Sequence, residues 1–370
     1  MLDKKHIKYF KKILPVDFVL SEEGDCWAYG YDNSKMHVMP ECVLFADSKA
    51  QIKDIVRYCF ENTIPITTRG RGTGNTGGSV PIENSVVLSL EKMNKIIDID
   101  ISNRLAVVQP GVINKTLQDE LQKENFFWGP DPSSQDYSTI GGNIANNSAG
   151  PRAIKYGTPR DNILGLEFIS GTGEIHKTGV KTSKGVVGLD LTRLFVGSEG
   201  VLGILSEATL KILPLNNSVK TFEITFETLK SASDMIIMLM TQPITPYKLE
   251  FVDEQSVKLI NSIKKNHFEI NTKSAVLLEI DGDVDFIDIQ SKKLLKLMQS
   301  KEHKKITIAE NKTEIAELWK ARKSLSPALK EIGGYKINED IAVPISNLTR
   351  FLNNLSAISK KYGVRIVNFG

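Results

Sequence analysis

One glycine-rich stretch constrains the fold of this chain more than any other: residues 64–79, Ile-Pro-Ile-Thr-Thr-Arg-Gly-Arg-Gly-Thr-Gly-Asn-Thr-Gly-Gly-Ser. Five glycines fall within nine residues and are interleaved with Arg71 and two threonines, directly after Arg69. Glycine accepts the backbone angles at which consecutive N–H groups face one side, and guanidinium groups add paired donors for phosphate oxygens. The stretch predicts a loop that binds a phosphorylated ligand, and a pyrophosphate is the group that fits it.

The sequence around this loop excludes two familiar phosphate-binding motifs. Residues 72–77 match G-x-G-x-x-G after a predicted strand over residues 64–67, but that motif must open a helix. Pro81 and the strand-like residues 85–90 follow instead, and no lysine follows Gly77 as a Walker loop requires. A strand-loop-strand anion cradle remains, beside the plainer interpretation of a flexible loop with solvated arginines.

Length and composition narrow the class of protein. A chain of 370 residues with 41% hydrophobic and 25% charged residues is typical of a soluble enzyme with two domains. The net charge of +3 is too small to indicate a nucleic-acid partner. Neither a transmembrane segment nor a signal peptide is visible, and the three cysteines are not spaced as a ligand set. We expect a cytoplasmic protein, compatible with a peripheral position at the inner face of the cell membrane.

Hydrophobic periodicity predicts a mixed chain of helices and strands in two halves. A strand over residues 43–46, a helix capped by Ser48 and the strand over residues 64–67 form a strand-helix-strand unit. Further strands of the first half are predicted over residues 86–90, 96–99, 105–109, 163–170, 174–177 and 208–213, with a helix capped by Asn114. The second half alternates as a small α+β sandwich, with a helix over residues 314–332 interrupted at Pro327, a helix capped by Ser346 and a last strand over residues 364–369.

Two further loops share the character of the first. Residues 137–150 are rich in glycine, small residues and short polar side chains, and residues 191–204 form a third glycine-punctuated loop. Such segments bring backbone amides and hydroxyls close to a flat or phosphorylated ligand. An ordinary turn-rich connection is the alternative for residues 137–150 taken alone.

Four segments in this order, residues 65–74, 139–143, 156–162 and 197–204, resemble the flavoproteins of the vanillyl-alcohol-oxidase and p-cresol-methylhydroxylase (PCMH) type. The nearest branch resembles the FAD-linked D-lactate and glycolate dehydrogenases. Weaker similarity extends over residues 318–344 to the end of the chain.

The resemblance implies an α+β fold. After an N-terminal segment of residues 1–40, residues 41–215 would form an FAD-binding PCMH-type domain of two α+β subdomains. Residues 216–370 would form a ferredoxin-like α+β cap, or substrate, domain that covers the flavin ring and is incomplete at its C-terminal end.

The resemblance also implies FAD as the cofactor and the residues that hold it. Residues 69–75 would wrap the pyrophosphate, and the other segments would lie along or near the cofactor. The cofactor-binding residues implied in this way are Arg69, Gly70, Arg71, Gly72, Thr73, Gly74, Asn75, Pro110, Gly111, Val112, Thr139, Gly141, Gly142, Asn143, Asn146, Ser148, Gly203 and Ile204. Because no histidine lies between His37 and His176, we expect non-covalent FAD.

In this branch a D-2-hydroxy acid is oxidised to the 2-oxo acid by hydride transfer to flavin. D-lactate is the first expectation, glycolate and D-2-hydroxyglutarate are alternatives, and a catalytically silent FAD-binding scaffold or subunit is the alternative from another class. The electron acceptor stays open among a quinone, a cytochrome and an iron–sulfur subunit.

Arg322 is the candidate for holding the substrate carboxylate, because a guanidinium fork matches a carboxylate and the family places an arginine after Trp319. A solvated helix arginine is its alternative. Lys336 and Asn338 would line the same pocket.

The chain departs from the family pattern at its end. In this branch the strand over residues 364–370 is followed by a His-x-Gly-Asp-Gly-Asn-x-His segment, whose histidines resemble metal ligands. Gly370 is the last residue here, so we expect a fragment of a longer enzyme that lacks its general base and has no metal site. The five histidines are not paired at ligand spacing, and each is expected at the surface.

Overall fold

The computed structural model describes residues 2–182, 184–265, 267–309, 311–331 and 337–370. The chain divides into two compact units, Met1–Leu215 and Asn216–Gly370. Each unit combines helices with sheets, so the predicted α+β class is confirmed. Among the described residues, no helix combines the length and apolar character needed to cross a bilayer.

The first unit contains ten strands and seven α-helices among the residues described. Its strands are β1 (Val19–Leu20), β2 (Cys42–Phe45), β3 (Ile66–Arg69), β4 (Val86–Ser89), β5 (Ile96–Asp100), β6 (Leu105–Val108), β7 (Phe126–Trp128), β8 (Ile163–Ile169), β9 (Ile175–Gly179) and β10 (Ile204–Pro214). Its helices are α1 (Lys4–Ile13), α2 (Glu23–Trp27), α3 (Lys49–Glu61), α4 (Asn114–Lys123), α5 (Ile140–Ala145), α6 (Ala153–Tyr156) and α7 (Leu191–Phe195).

The first sheet places the glycine loop at the end of β3, a parallel strand at its edge. Its order is β1-β2-β4-β3, with β2, β4 and β3 parallel and β1 antiparallel at the edge. Helix α3 begins after Ser48, as predicted, and buries its apolar face, including Cys59. No helix lies between β3 and β4, so the predicted strand-loop-strand setting is confirmed for residues 66–89, all of which the structure describes.

The second sheet is antiparallel and has the order β5-β6-β10-β8-β9, with β7 added along β10. The predicted start of β10 at Ala208 was wrong by four residues, because Ile204 already pairs with Ile169 of β8 and is buried. The predicted cap of α4 was also wrong. Ile113 is the N-cap residue, and Asn114 is the first helical residue, with its amide turned into the protein.

Glu167 of β8 connects the second sheet to helix α3. Its side chain is 4% exposed and accepts from Lys49 Nζ of α3 at 3.1 Å and from Lys177 Nζ of β9 at 3.1 Å. Ser206 Oγ adds a third donor at 3.0 Å. Burial by itself raises the pKa of this carboxyl, but the three donors together hold the pKa below its ordinary value.

We expect Glu167→Gln to lower the free energy of unfolding by about 1 kcal/mol near neutral pH, because the buried side chain loses its charge-assisted hydrogen bonds while the two lysines that it releases are solvent-exposed. Since the pKa is lower in the folded state than in the unfolded state, this contribution is fully present above about pH 5 and is lost as the pH falls through the folded-state pKa. Urea unfolding of both proteins at about pH 7 and about pH 4 should show the difference shrinking in acid. Glu174→Gln, which alters a carboxylate that is 68% exposed, is the matched control, and an equal loss in the control would contradict the prediction.

The second unit is one antiparallel sheet with helices on both faces. Its strands are β11 (Ser218–Phe226), β12 (Lys248–Val252), β13 (Ser274–Gly282) and β14 (Lys305–Ala309). Its helices are α8 (Leu229–Thr241), α9 (Glu254–Ile263), α10 (Val284–Gln299), α11 (Lys312–Lys323), α12 (Leu325–Glu331) and α13 (Leu348–Tyr362). The sheet order is β12-β13-β11-β14. One face packs against α8, α10 and α13, and the other carries charged side chains next to α9, α11 and α12.

Three predictions for the second unit were wrong, and β14 was not predicted. The helix over residues 314–332 is two helices that divide at Ser324. Pro327 lies in the first turn of α12, where a missing N–H breaks no helical hydrogen bond. Asn347, not Ser346, precedes α13 as its N-cap residue. Residues 364–369 form no strand apart from a single bridge between Phe369 and Val252, because Asp253 takes the backbone N–H of Asn368.

Candidate functional site

The loop between β3 and β4 presents backbone N–H groups that have no protein acceptor. Among the described residues, none accepts a hydrogen bond from an amide of residues 70–78, although the Gly74 carbonyl accepts from Asn33 N at 2.9 Å. Gly72 and Gly77 have φ angles of +63° and +82°, the region that glycine adopts without strain. Unpaired amides on a partly exposed loop are the donors that a phosphate group requires, so the loop fits the pyrophosphate of FAD.

The second predicted loop contains the short helix α5, which lies directly against the first loop. Thr139 caps it by accepting from Gly142 N at 3.2 Å. A β-carbon at Gly70 would lie 2.5 Å from Thr139 Oγ1, and one at Gly141 would lie 2.6 Å from the β-carbon of Pro110. The structure therefore brings three of the predicted segments into contact at positions where only glycine fits.

Pro110, Gly111 and Val112 form the support beneath this contact. A β-carbon at Gly111 would lie 2.3 Å from the Leu90 carbonyl oxygen, and Val112 is buried with its carbonyl accepting from Ile140 N at 2.8 Å. These residues fix α5 relative to the end of β4 through backbone contacts.

Asn143 lies behind the cofactor loops and not on their surface. Its residue is 1% exposed, its amide nitrogen donates to Ser138 Oγ at 3.1 Å, and its amide oxygen accepts from Asn114 Nδ2 at 2.9 Å. Both polar atoms are therefore occupied within the protein, and Ser148 N is bonded to its carbonyl at 2.8 Å. Asn143 orders the segment that carries α5, and its predicted contact with FAD stays a prediction.

The third predicted loop also contacts α5 and the first glycine loop. Glu199 N donates to the Ala145 carbonyl at 2.8 Å. A β-carbon at Gly78 would lie 3.4 Å from Glu199 Oε2 and 3.9 Å from Asn146 Oδ1. Sequence reasoning placed Asn146 near the cofactor and included Glu199 in the third loop without a role of its own. Glu199 has a φ of +54°.

A cleft of about 240 Å³ lies between α3, β3 and the third loop. Its walls are mostly apolar and include Cys59, Ile66 and Thr68 beside the predicted cofactor residues Gly203 and Ile204. An apolar cleft next to an anion-binding loop suits the flat ring of a nucleotide cofactor.

The two arginines of the glycine loop differ in their surroundings. Arg69 is 7% exposed and its guanidinium Nη1 donates to the Tyr31 carbonyl at 2.6 Å. Arg71 has a half-exposed side chain, and its guanidinium pairs with Glu91 at 3.1 Å. Thr73 is partly exposed on the loop between them and Asn75. Only Arg71 has its charged group at the surface of the loop.

In the second unit, Arg322 of α11 is held by Glu250 of β12. Its Nε and Nη2 atoms lie 2.7 Å and 2.5 Å from Glu250 Oε2, and its guanidinium carbon lies 4.5 Å from the centre of the Phe369 ring. The guanidinium is thus fixed on one edge and one face. Asn338 is exposed, and Lys336 lies outside the described residues.

A second cluster of charged residues lies next to the pair of Arg322 and Glu250, on β12 and β13. Glu279 is 4% exposed in its side chain and accepts from Lys248 Nζ at 2.9 Å and from the Trp319 indole. The Lys248 ammonium lies 4.7 Å from the centre of the Trp319 ring. Sequence reasoning missed this cluster, although the alternation of Lys248 and Glu250 with apolar residues on one strand was a visible signal.

The expectation that every histidine lies at the surface was wrong for His6 and His267. His6 packs inside the first unit and bonds to the Tyr58 hydroxyl at 2.9 Å. His267 is 8% exposed in its side chain and faces Glu223 at 2.9 Å. In the part of the chain that the structure describes, no three His, Cys, Asp or Glu side chains gather as metal ligands do.

The fold is that of the PCMH-type flavoproteins. Alkyldihydroxyacetonephosphate synthase matches 97% of this chain and 76% of its own with a TM-score of 0.79 at 19% identity. The 4-ethylphenol oxidase of Gulosibacter chungangensis matches 99% of this chain and 79% of its own, also with a TM-score of 0.79, at 17% identity. Residues 40–179 match the family described as "FAD binding domain", and residues 215–370 match "FAD linked oxidases, C-terminal domain". The chain is therefore an FAD-dependent oxidoreductase.

Two curated relatives narrow this class. The glycolate oxidase subunit GlcD of Bacillus subtilis is 36% identical over 343 residues, which cover 92% of this chain and 73% of the relative. The D-lactate dehydrogenase of Anaerostipes hadrus is 31% identical over 378 residues, which cover 98% of this chain and 78% of the relative. The chain belongs to the family of FAD-linked oxidases that contains these two proteins, and it spans about three quarters of their length.

Proposed function

We propose that this chain binds FAD non-covalently and contributes to the oxidation of a D-2-hydroxy acid, with D-lactate as the first candidate substrate. The observation that carries the proposal is the fixed guanidinium of Arg322. Its Nε and Nη2 face Glu250, while Nη1 has no hydrogen-bonding partner among the residues described. An arginine held in this way keeps donors in a constant direction, which a small carboxylate can accept.

Bound FAD would supply the acceptor for the substrate's hydride, which carries the two electrons of the oxidation. The contribution of this chain is to hold the cofactor phosphates on the amides of residues 70–78 and the substrate carboxylate on Arg322. Fixing a small acid by its carboxylate limits the directions in which its carbinol C–H can point, which lowers the entropic cost of the reaction. No described residue is assigned as the base that takes the hydroxyl proton.

Glycolate is the second candidate, supported by the relative named glycolate oxidase subunit. D-2-hydroxyglutarate carries a second carboxylate and would need a second cation near Arg322. The non-catalytic alternative is that the chain is an FAD-binding subunit without activity of its own. The electron acceptor is proposed to be a quinone, a cytochrome or an iron–sulfur subunit.

Anaerobic mixing of the FAD-loaded protein with each acid tests these proposals. We expect D-lactate to bleach the flavin absorbance and L-lactate to leave it unchanged, because the C–H bond of L-lactate points away when its carboxylate is held. Faster bleaching by glycolate or D-2-hydroxyglutarate would replace D-lactate as the substrate, and bleaching by none of the acids would favour the silent subunit. Acid precipitation should leave the flavin in the supernatant, and retention in the pellet would contradict non-covalent binding.

A further inference from the structure

We propose that residues 27–37 act as a clamp that holds the phosphate-binding loop in its cofactor-binding shape, with Arg69 and Asp32 as positioning residues. The clamp lies before the glycine loop in sequence and contacts it at Arg69, Gly74 and Asn75. The proposal concerns FAD binding alone and does not depend on which acid is oxidised.

Arg69 joins the loop to the clamp through backbone oxygens. Its Nη1 donates to the Tyr31 carbonyl at 2.6 Å and lies 3.5 Å from the Ser79 carbonyl, and its Nη2 lies 3.5 Å from the Ala28 carbonyl. A β-carbon at Gly72 would lie only 2.2 Å from Nη2, so the loop backbone wraps tightly around the guanidinium. Arg69 therefore serves as the inner support of the loop.

Asp32 provides a buried negative charge that acts electrostatically on this guanidinium. It is 3% exposed, its Oδ1 accepts from Ser34 N at 2.8 Å, and its Oδ2 lies 3.5 Å from Ser79 Oγ. Burial lowers the pKa of the Arg69 guanidinium, and the Asp32 carboxylate opposes that shift. The carboxylate thus offsets part of the cost of burying the guanidinium and connects the clamp to the far end of the loop.

Asn33 determines which way a central peptide of the loop faces. Its backbone N–H donates to the Gly74 carbonyl at 2.9 Å, and its side-chain amide donates to Asn75 Oδ1 at 2.6 Å. In a planar trans peptide the C=O and N–H point in opposite directions. Because the Gly74 carbonyl faces the clamp, the N–H of Asn75 faces away from it, toward the side that a phosphate would occupy.

The substitution Asp32→Asn distinguishes two roles of Arg69, support of the loop within the clamp and direct binding of phosphate. The two roles predict changes of opposite sign in FAD affinity. If Arg69 contacted the pyrophosphate, removal of a neighbouring negative charge would tighten FAD binding. If Asp32 supports the loop, Asp32→Asn weakens FAD binding by about tenfold or more. Fluorescence titration of the apoprotein with FAD measures this. Glu83→Gln makes the same charge change at an exposed position nearby and should stay within about twofold of wild type.

Trypsin cleavage of the apoprotein after Arg71 gives a second readout, because it reports the order of the loop itself. We expect Asp32→Asn and the milder Asn33→Ala, at an exposed residue, to speed cleavage after Arg71 relative to cleavage after Arg104, in the turn between β5 and β6. FAD should protect the Arg71 site in the wild type. Tighter FAD binding in Asp32→Asn, or an unchanged cleavage ratio in Asn33→Ala, would overturn the proposal. If Asp32→Asn fails to fold, the ratio and the FAD affinity of Asn33→Ala decide.

Discussion

Gly74→Ala is expected to weaken FAD binding by about 100-fold while leaving the stability of the apoprotein unchanged. A β-carbon at Gly74 would meet a single protein atom within 4 Å, Asp32 Oδ2 at an ordinary 3.8 Å. The protein itself therefore gives no reason for a glycine at this position. Close approach of a ligand to the backbone does, because an added methyl group would stand between the loop and the phosphate.

Gly282→Ala is the matched control for this experiment. A β-carbon there would also meet one atom, Gln290 Oε1 at 3.8 Å, and Gly282 lies at the end of β13 in the other unit. The two variants should be compared by titration with FAD and by thermal unfolding of the apoproteins. We expect them to differ in FAD affinity and not in stability. Wild-type affinity in Gly74→Ala would mean that the phosphates do not bind along this loop.

Arg322→Met is expected to lower kcat/KM for the 2-hydroxy acid by about 1,000-fold without changing FAD affinity. The substitution removes the donors proposed for the substrate carboxylate. It also leaves Glu250, whose side chain is 10% exposed, as an unpaired carboxylate that repels a second one. Stopped-flow flavin reduction over a range of substrate concentrations would give this value.

Two companion variants separate substrate binding from folding. Lys323→Met removes a neighbouring exposed cation from the same helix and should keep kcat/KM within about twofold of wild type. The double variant Glu250→Gln with Arg322→Met removes both charges of the pair, so it should recover unfolding stability but not activity. Recovery of activity in the double variant would show that Arg322 acts only as the partner of Glu250.

The contacts between the glycine loops could be predicted from sequence, because glycine and short polar residues are typical of positions where two backbones lie close together. Gly70 against Thr139 and Gly141 against Pro110 are the contacts that such a composition requires. The helix α5 could not be predicted, because two of its six residues are glycines and helix propensity argues against it. Capping by Thr139 and burial of Ile140 outweigh that propensity.

The hydrogen-bonding partners of the charged residues could not be predicted from the sequence. An arginine among glycines has the same sequence signature whether its guanidinium faces phosphate or, as at Arg69, backbone carbonyls. The pair of Arg322 with Glu250 joins positions 72 residues apart, and nothing local to either residue indicates the other. Strand β14 was missed because its short alternation follows a lysine-rich segment that is typical of a solvated turn.

The contact between Arg69 and the carbonyls of Ala28 and Tyr31 has a consequence for where this domain begins. The match to the FAD-binding family starts at residue 40, although both carbonyls lie before it. Main-chain oxygens are present in every amino acid, so the residues that supply them can diverge while the contact persists. The family match therefore begins inside the physical unit, so a domain cut at residue 40 would leave the Arg69 guanidinium without the carbonyl oxygens of Ala28 and Tyr31.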